Sequence, residues 1–400
     1  NARPLIEGRG RGNGIAFRLT PAEPIIAFQK FHFVDNSDWI YLHKNMRVYA
    51  NVDMDSEDGL CFRMQSDRSD TVSLQNINLE LIRFRLDKLS GILPYMPRIT
   101  GLFSAEANYI QTATSLQVSA EAGVEKLTYE RQPVGNIGLG ATWLPGDKGT
   151  HYLNAYFRSG DQEVLTADAV LTQKNGRDSL EVNTTFEHFP LSLANAFMPD
   201  QVVTFTGDID GGLYINGDME KPKMSGDLSL DSVSVYARQA GARYWFDNRP
   251  LKIENNQLIF NKFAIYTTSR NPFTIDGNVD FRNMDRPTAN LTLRAQNYTL
   301  LDAPRTRESM LYGKIFVDLN ATVRGPLDGL TMRGNMNLLG NTDVTYVLTD
   351  SPLTVEDRLG ELVTFTSFTD TTSVQATEVP TMSLGGMDML MSVHIDDAVR

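Results

Sequence analysis

Apolar and polar residues alternate along much of the chain. In residues 314–324, KIFVDLNATVR, only Phe316 interrupts the polar positions. Because successive side chains of a β-strand point to opposite faces of a sheet, this period of two predicts strands with one buried face and one wet face. The apolar positions with this spacing are Ile137, Leu139, Ala141, Trp143, Leu213, Ile215, Phe273, Ile275, Val279, Phe281, Ile315, Val317, Leu319, Ala321 and Val323.

Turn signals separate these segments at short intervals. Clusters rich in glycine, proline, asparagine and aspartate occur at residues 144–149, 173–178, 267–272 and 282–287. Such clusters favour tight reversals of the chain. The pattern therefore predicts a long succession of antiparallel hairpins.

Helical patterning is scarce. Short helices are predicted only at residues 79–89, 192–198 and 355–362. None of them is long enough to shield a large sheet, so the apolar face needs another cover. That cover is either a second sheet or a molecule that is not protein.

The sequence contains an internal repeat. Residues 215–230 resemble residues 323–338, with Gly217 matching Gly325, Met224 matching Met332 and Gly226 matching Gly334. In each copy a glycine ends one alternating strand and a second one begins, so the repeated unit is a hairpin. The apolar positions of the second strands are Met224, Leu228 and Leu230 in one copy, and Met332, Met336 and Leu338 in the other.

A fainter third copy links Met96-Pro97 to Met198-Pro199, each followed by a glycine, Gly101 or Gly207. The spacing is about a hundred residues, which favours four units at residues 1–95, 96–195, 196–305 and 306–400 of one continuous repeat-built chain. Coincidence among amphipathic hairpins is the alternative explanation.

Composition narrows the class of protein. The 400 residues are 41% hydrophobic, enough for a large core. The formal net charge of -12 disfavours binding to nucleic acid. The single cysteine, Cys61, can form neither an internal disulfide nor a thiolate metal site.

No apolar run approaches the roughly 20 residues of a membrane helix. The N-terminus has no signal-peptide core, and the chain is expected to be a piece of a longer protein.

The sequence offers no catalytic constellation, and we predict neither an enzyme nor a cofactor. The five histidines are far apart in sequence and are expected to be structural or at the surface: His32, His43, His151, His188 and His394. Four aspartates fall at turns and outward strand positions, as solvated charges do: Asp208, Asp210, Asp218 and Asp227. The arginine- and glycine-rich residues 7–14 lack interleaved aromatics, so a flexible segment is favoured over an RNA contact.

Several longer segments resemble the TamB family. They are residues 90–146, beginning SGILPYMPRITG; the paired glycine–proline–glycine hairpins; residues 300–354, beginning LLDAPRTRESM; and LVTFTSFTD at 362–370. The resemblance is strongest from about residue 90 to residue 370. It is similar in character to the Bacteroides-type members, and the family is grouped with AsmA-like, bridge-type lipid transfer proteins. These are diffuse strand patterns, so they indicate the family better than any site.

The resemblance implies an all-β fold in which a long twisted antiparallel sheet is curled into an open hydrophobic groove, with few short helices. Phospholipid acyl chains would be the missing cover. The residues expected to line the groove are Leu213, Ile215, Leu228, Leu230, Phe273, Ile275, Val279, Phe281, Ile315, Val317, Leu319, Ala321, Val323, Met332, Met336 and Leu338.

The resemblance to the TamB family also implies a cellular location and binding partners. The expected location is the periplasm of a Gram-negative bacterium. The full-length protein would be anchored in the inner membrane by an N-terminal segment absent from this chain. A C-terminal region, also absent here, would dock on a BamA/TamA-type barrel protein of the outer membrane.

Three functions remain open at this stage. The first is a conduit that carries phospholipid between the inner and outer membranes. The second is a scaffold for assembly of outer-membrane or secreted proteins, in which exposed strand edges receive another chain. The third is a β-rich surface adhesin, which explains the strands but not the resemblance.

Overall fold

The computed structural model describes residues 5–20, 23–26, 29–34, 39–92, 96–174, 177–198, 202–238, 241–305, 311–346 and 388–399. Of these described residues, 72% lie in β-strands. The all-β class predicted from the period of two is therefore confirmed.

The chain divides into two compact units, and the first comprises residues 1–233 and 248–257. Its strands pair antiparallel with their neighbours, and from β6 to β15 each strand pairs with the next one in sequence. They are β1 (Leu5–Arg11), β2 (Gly14–Thr20), β3 (Ile25–Ile26), β4 (Gln29–Phe33), β5 (Trp39–His43), β6 (Val48–Ser56), β7 (Cys61–Ser66), β8 (Gln75–Arg85), β9 (Ile99–Gln111), β10 (Leu116–Tyr129), β11 (Gln132–Pro145), β12 (Thr150–Ser159), β13 (Gln162–Lys174), β14 (Arg177–Pro190) and β15 (Val203–Asp218).

The second unit comprises residues 234–247 and 258–400. The remaining strands are β16 (Lys223–Ala237), β17 (Ala242–Phe246), β18 (Leu251–Glu254), β19 (Gln257–Tyr266), β20 (Phe273–Asp280), β21 (Thr288–Ala303), β22 (Leu311–Pro326), β23 (Thr331–Leu338), β24 (Asp343–Tyr346) and β25 (Asp388–Ile395). Strand β18 and most of β16 belong to the first unit, and β19 lies in the second apart from its first residue.

One strand pair departs from the predicted antiparallel sheet. Strands β20 to β23 pair antiparallel in sequence order, but β25 runs parallel to β23, from Thr331 opposite Asp388 to Leu338 opposite Ile395. Because β25 comes about fifty residues after β23, it is not the return strand of a hairpin and is free of the hairpin's antiparallel constraint.

Helices are few and short in the described part of the chain. They are α1 (Asp87–Ile92) and two 3₁₀ segments, Asp147–Gly149 and Leu191–Phe197. The helix predicted at 192–198 therefore exists as a 3₁₀ segment. The helix predicted around 79–89 is wrong for residues 79–85, where β8 continues to Arg85, and only its last residues, 87–89, lie in α1. The helix predicted at 355–362 lies outside the described residues.

A recurrent β-bulge interrupts the long strands. In β8, two residues ending at Arg83 lie opposite the single residue Ser104, and the same two-against-one register occurs in β10, β14 and β21. In each bulge the second residue has positive φ although it is not glycine: Arg83, Lys126, His188 and Asn297. Its backbone N–H donates to the side chain directly opposite. The acceptors are Ser104 at 3.0 Å, Asn136 at 2.8 Å, Asp210 at 2.8 Å and Asp318 at 2.7 Å.

Strand β19 contains the same arrangement, because Lys262 has positive φ and its N–H donates to the side chain of Asp276 at 2.7 Å. A bulge bends and twists the strand that contains it, and it leaves one N–H without a ladder partner. The polar side chain on the neighbouring strand accepts that N–H. The bulge and its acceptor side chain thus bend the sheet without leaving a backbone N–H unsatisfied.

Three glycines with positive φ recur at a fixed spacing. Gly101, Gly207 and Gly313 lie near the starts of β9, β15 and β22, each 106 residues after the previous one. A Cβ atom at any of them would collide with the neighbouring strand. At Gly207 it would lie 2.6 Å from the carbonyl oxygen of Asp231. Glycine is required where backbones approach this closely.

The hairpin glycines identified from the repeat also correspond in conformation. Gly217 has φ +113° and Gly325 has φ +116°, and each lies near the end of a long strand. A Cβ at Gly226 or Gly334 would lie 2.1 or 2.4 Å from a carbonyl oxygen of the preceding strand. These matches support an internal repeat, while the four unit boundaries remain a prediction.

Among the described residues, no helix has both the length and the apolar character needed to cross a membrane.

Candidate functional site

A continuous apolar face extends across eight strands of the first unit, β8 to β15. Residues directly opposite each other on paired strands share a face, so the register places side chains in rows that cross the strands. One row is Ile77, Tyr109, Val118, Trp143, Leu153, Ala169, Val182 and Ile215. Another row is Leu81, Ala105, Ala122, Leu139, Phe157, Leu165, Phe186 and Gly211.

Small side chains run between these two bulky rows. The middle row is Leu79, Ala107, Ala120, Ala141, Ala155, Ala167, Thr184 and Leu213. Alanine thus occupies it on five consecutive strands, β9 to β13. Because a methyl group rises less from a sheet than the side chains beside it, the face has a shallow track that runs across the strands.

No described part of the chain covers this face completely. Leu139 is 54% exposed and Leu79 is 37% exposed, and Ala120 is also exposed. In a sheet packed against a second protein layer, central apolar residues would be buried. The apolar face of the first unit is thus exposed at Leu79, Ala120 and Leu139 and partly or fully buried elsewhere. An extended, partly exposed apolar face marks a binding surface.

The opposite face of the same strands is polar. Its rows include Asn78, Asn108, Ser119, Thr142, Asn154, Asp168, Asn183 and Tyr214. Arg158 forms an ion pair with Glu121 on this face, and Tyr214 donates to Glu181 at 3.0 Å. The sheet therefore has one apolar and one hydrated side, as the alternation predicted.

The second unit carries an apolar face on β20 to β23. The register joins Phe273, Ala295, Leu319 and Met336 in one row. The next row joins Ile275, Leu293, Ala321 and Gly334. Val317 is 3% exposed and packs in a cluster with Ala295 and Tyr298, against Phe273, Ile315, Leu319, Met336 and Leu338.

The structure brings most of the predicted lining residues of β20 to β23 onto this face. Val279, Val317, Ala321 and Val323 are buried, and the other predicted residues are partly buried. Leu213 and Ile215 lie instead on the face of the first unit, while Leu228 lies opposite Leu251 of β18. The role of these residues in contacting lipid remains a prediction.

Strand β17 covers one end of the second unit's apolar face. Ala242 is buried against Leu301 and Ala303, and Tyr244 packs on the same cluster with Leu311, Ile315 and Val344. The Tyr244 hydroxyl donates to the carbonyl oxygen of Leu300 at 2.9 Å. Burial raises the pKa of Tyr244. Burial also raises the pKa of Tyr298, and the nearby Tyr244 contributes to that rise.

One cluster of possible metal ligands stands out in the described part of the chain. The ligand atoms of His188, Asp210 and Asp231 lie within 4.8 Å of one another. Asp210 already accepts the bulge N–H of His188, a role that Asp318 fills in the second unit without a histidine. The cluster is therefore explained by the bulge itself, and His188 lies at the surface as predicted.

A hollow of about 660 Å³ lies on the polar face of the second unit. Its lining includes Asn271, Arg294, Asp318, Asn320 and Asn335, with no histidine or cysteine among the described residues that line it. Asp318 is the only carboxylate among the described lining residues and already accepts the N–H of Asn297, so the hollow lacks the pair of carboxylates that acid–base catalysis often uses. The apolar faces are therefore the stronger candidate for function.

Comparison with known protein families identifies part of the chain. Residues 261–386 match the model of the TamB C-terminal domain. This match supports assignment of the chain to the TamB family. The TamB match covers β20 to β24, which include the strands that form the second unit's apolar face. No curated protein and no solved structure matches the chain.

The TamB match indicates a protein of the bacterial envelope with a role in transport or assembly. The family is one of transport and assembly components rather than of enzymes. This agrees with an apolar face, rather than a polar pocket, as the functional feature of the chain.

Most of the apolar face of the first unit was not identified from the sequence. The period of two identified Ile137, Leu139, Ala141 and Trp143 of β11, but not the rows that these residues join. A row depends on the register of several strands, which a single sequence does not state. The bulges are visible in the sequence, because each bulged strand carries two apolar residues three positions apart instead of two. The motifs are LIRF, VEKL, FEHF, FNKF and AQNY.

Proposed function

We propose that this TamB-family chain is a section of a periplasmic conduit that carries phospholipid between the inner and outer membranes, in support of outer-membrane biogenesis. Acyl chains lie on the apolar faces while headgroups remain in water. The observation that carries the proposal is the apolar face of β8 to β15, which is continuous over eight strands and substantially exposed at Leu139.

The energetics of an acyl chain suit such a face. Removing a methylene group from water stabilises it by about 0.8 kcal/mol, so a chain lying along the rows gains from every strand that it crosses. The interaction is non-directional and requires no particular polar partner. A lipid can thus shift along the rows without breaking hydrogen bonds.

The wider assignment rests on the family resemblance. It includes the AsmA-like grouping, the Bacteroides-type character, an inner-membrane anchor and a BamA/TamA-type barrel as the outer-membrane partner. In this arrangement the chain supplies part of the path between the two membranes. The resemblance implies an open hydrophobic groove, and each of the apolar faces described above would line the inside of such a groove.

A charged substitution on the exposed apolar face tests the conduit. Leu139→Arg places a guanidinium on the surface proposed to hold acyl chains, and an unpaired charge against hydrocarbon costs several kcal/mol. Because Leu139 is 54% exposed, the arginine can reach water and the fold is expected to survive. Native mass spectrometry of the purified protein should show phospholipid on the wild type and at least about tenfold less on the variant, equivalent to about 1.4 kcal/mol.

Asn183→Arg is the matched control, because Asn183 is exposed on the polar face of β14. It adds the same charge and should leave both the bound lipid and the melting temperature unchanged. Wild-type protein free of phospholipid, or Leu139→Arg protein with a full complement of it, would contradict the conduit.

The alternative function, a scaffold that receives another polypeptide, is favoured by one feature. In the described part of the chain β25 pairs with β23 alone, which leaves its other edge open for strand addition. Met389, Val393 and Ile395 on this strand are 46%, 50% and 58% exposed. An exposed apolar edge strand is a template for pairing with another chain.

The substitution Val393→Lys separates the two functions. A lysine on an edge strand discourages pairing with a further strand. If the chain acts as a scaffold, the variant should lose cross-linking to envelope proteins in cells while its bound phospholipid stays at the wild-type amount. Unchanged cross-linking would argue against strand addition at β25.

A further inference from the structure

The two apolar faces differ in how much of them is covered. In the first unit, the central residue Leu139 is 54% exposed. In the second unit, Leu301 and Ala303 near the end of β21 are 4% and 5% exposed, because β17 packs on them. We call β17, Ala242–Phe246, the strap.

The strap is held to the apolar face by small groups. Its contact is made by Ala242, and a Cβ atom built on the adjacent Gly241 would lie 3.0 Å from the Cβ of Ala303. Since hydrophobic stabilisation scales with the apolar area buried, a contact between alanines contributes little. Tyr244 is the large side chain of the strap that packs on this cluster, and its hydroxyl donates a hydrogen bond to the carbonyl oxygen of Leu300.

The backbone connections of the strap are also short. It pairs with residues 234–237 of β16, and with β19 at Trp245 opposite Tyr266 and Phe246 opposite Ile265. Segments with few buried contacts open locally at a free energy well below that of global unfolding. The contact of the strap with β21 is of this kind. Phe246 beside Phe263 holds the strap to β19, and Arg243 donates to Ser234 of β16 at 2.9 Å. By contrast, β21 and β22 pair over more than ten residues.

We propose that the strap is a gate over the second unit's apolar face, which must lift from Leu301 and Ala303 before an acyl chain can occupy that end of the face. The inference rests on the proposed lipid-carrying function and adds its regulation. With the strap closed, lipid is excluded from the cluster around Ile315. With the strap lifted, Leu301, Ala303 and Ile315 become part of the lipid-binding surface.

Locking the strap tests the gate. In a chain whose native thiol is removed by Cys61→Ser, the pair Ala242→Cys and Ala303→Cys joins the strap to β21 by oxidation or by a short bismaleimide. The protein is mixed with phosphatidylethanolamine vesicles that carry a diazirine on the acyl chain, illuminated, digested and mapped by mass spectrometry. Each single-cysteine variant serves as a control that cannot be locked.

The reduced protein should be labelled on β21 and β22 as well as on β11 and β12. The locked protein should lose most labelling around Leu301 and Ala303 of β21 and Ile315 of β22. It should keep the labelling of β11 and β12, and reduction of a disulfide lock should restore the pattern. Unchanged labelling of β21 and β22 in the locked protein would overturn the gate. Absence of labelling anywhere in the reduced protein would instead overturn the lipid-carrying function.

A second variant opens the strap. Tyr244→Ser removes the aromatic side chain that the strap packs on the cluster of Leu301 and Ala303, together with its hydrogen bond to Leu300. Labelling of β21 and β22 should rise above that of the wild type, with β11 and β12 unchanged. Equal labelling in the two proteins would show that the strap does not limit access.

Discussion

Single residues determine where the long strands bend. At the bulge in β21, Asn297 has φ +44°, a conformation that is uncommon for a residue with a side chain. The carboxylate of Asp318 accepts its N–H at 2.7 Å. Because the same arrangement recurs with serine, asparagine or aspartate as acceptor, the requirement is for a short side chain with an oxygen, not for a charge.

This requirement predicts the effect of removing the acceptor. Asp318→Ala should lower the free energy of unfolding by about 1–3 kcal/mol, because the N–H of Asn297 loses its partner. Asp318→Asn keeps an acceptor oxygen and should recover most of the loss. Urea denaturation of the purified chain measures both. The control is Asn320→Ala, an exposed position on the same face of β22, and a loss there equal to that of Asp318→Ala would refute the bulge argument.

At the scale of the element, the period of two predicted strands reliably where no bulge intervenes. It placed Phe273, Ile275, Leu319 and Ala321 on one face, as the register of β20 to β22 shows. It failed in β8. There the bulge sets Leu81 and Phe84 three residues apart on one face, a spacing that also suits a helix. The error at residues 79–89 therefore has a physical cause.

The two faces of β22 can be distinguished in solution. In a chain carrying Cys61→Ser, Asn320→Cys should react rapidly with a water-soluble maleimide, because Asn320 is exposed on the polar face. Leu319→Cys should react much more slowly, since Leu319 packs against the cluster around Val317. The comparison is sharp because a register shift of one residue would exchange the two positions. Faster reaction at position 319 than at 320 would show that the faces are reversed.

At the scale of the whole molecule, the features that matter cross many strands. The spacing of Gly101, Gly207 and Gly313 was partly visible in the sequence, because the first two follow similar Met-Pro pairs. The alanine track on β9 to β13 was not visible, because its members come from five strands whose register had to be known. The strap was likewise hidden, since its contacts join residues more than fifty positions apart.

The alanine track offers a test of how lipid lies on the first unit. If acyl chains follow the track, Ala141→Trp should fill it and lower the amount of bound phospholipid without introducing a charge. The fold should persist, because Leu139, on the same face of β11, is 54% exposed and a larger side chain beside it can extend into open space. Thr142→Trp adds the same side chain on the polar face of β11 and should leave the lipid unchanged. Native mass spectrometry and thermal melting measure the two effects separately. A wild-type amount of lipid on folded Ala141→Trp protein would show that the acyl chains lie elsewhere on the apolar face.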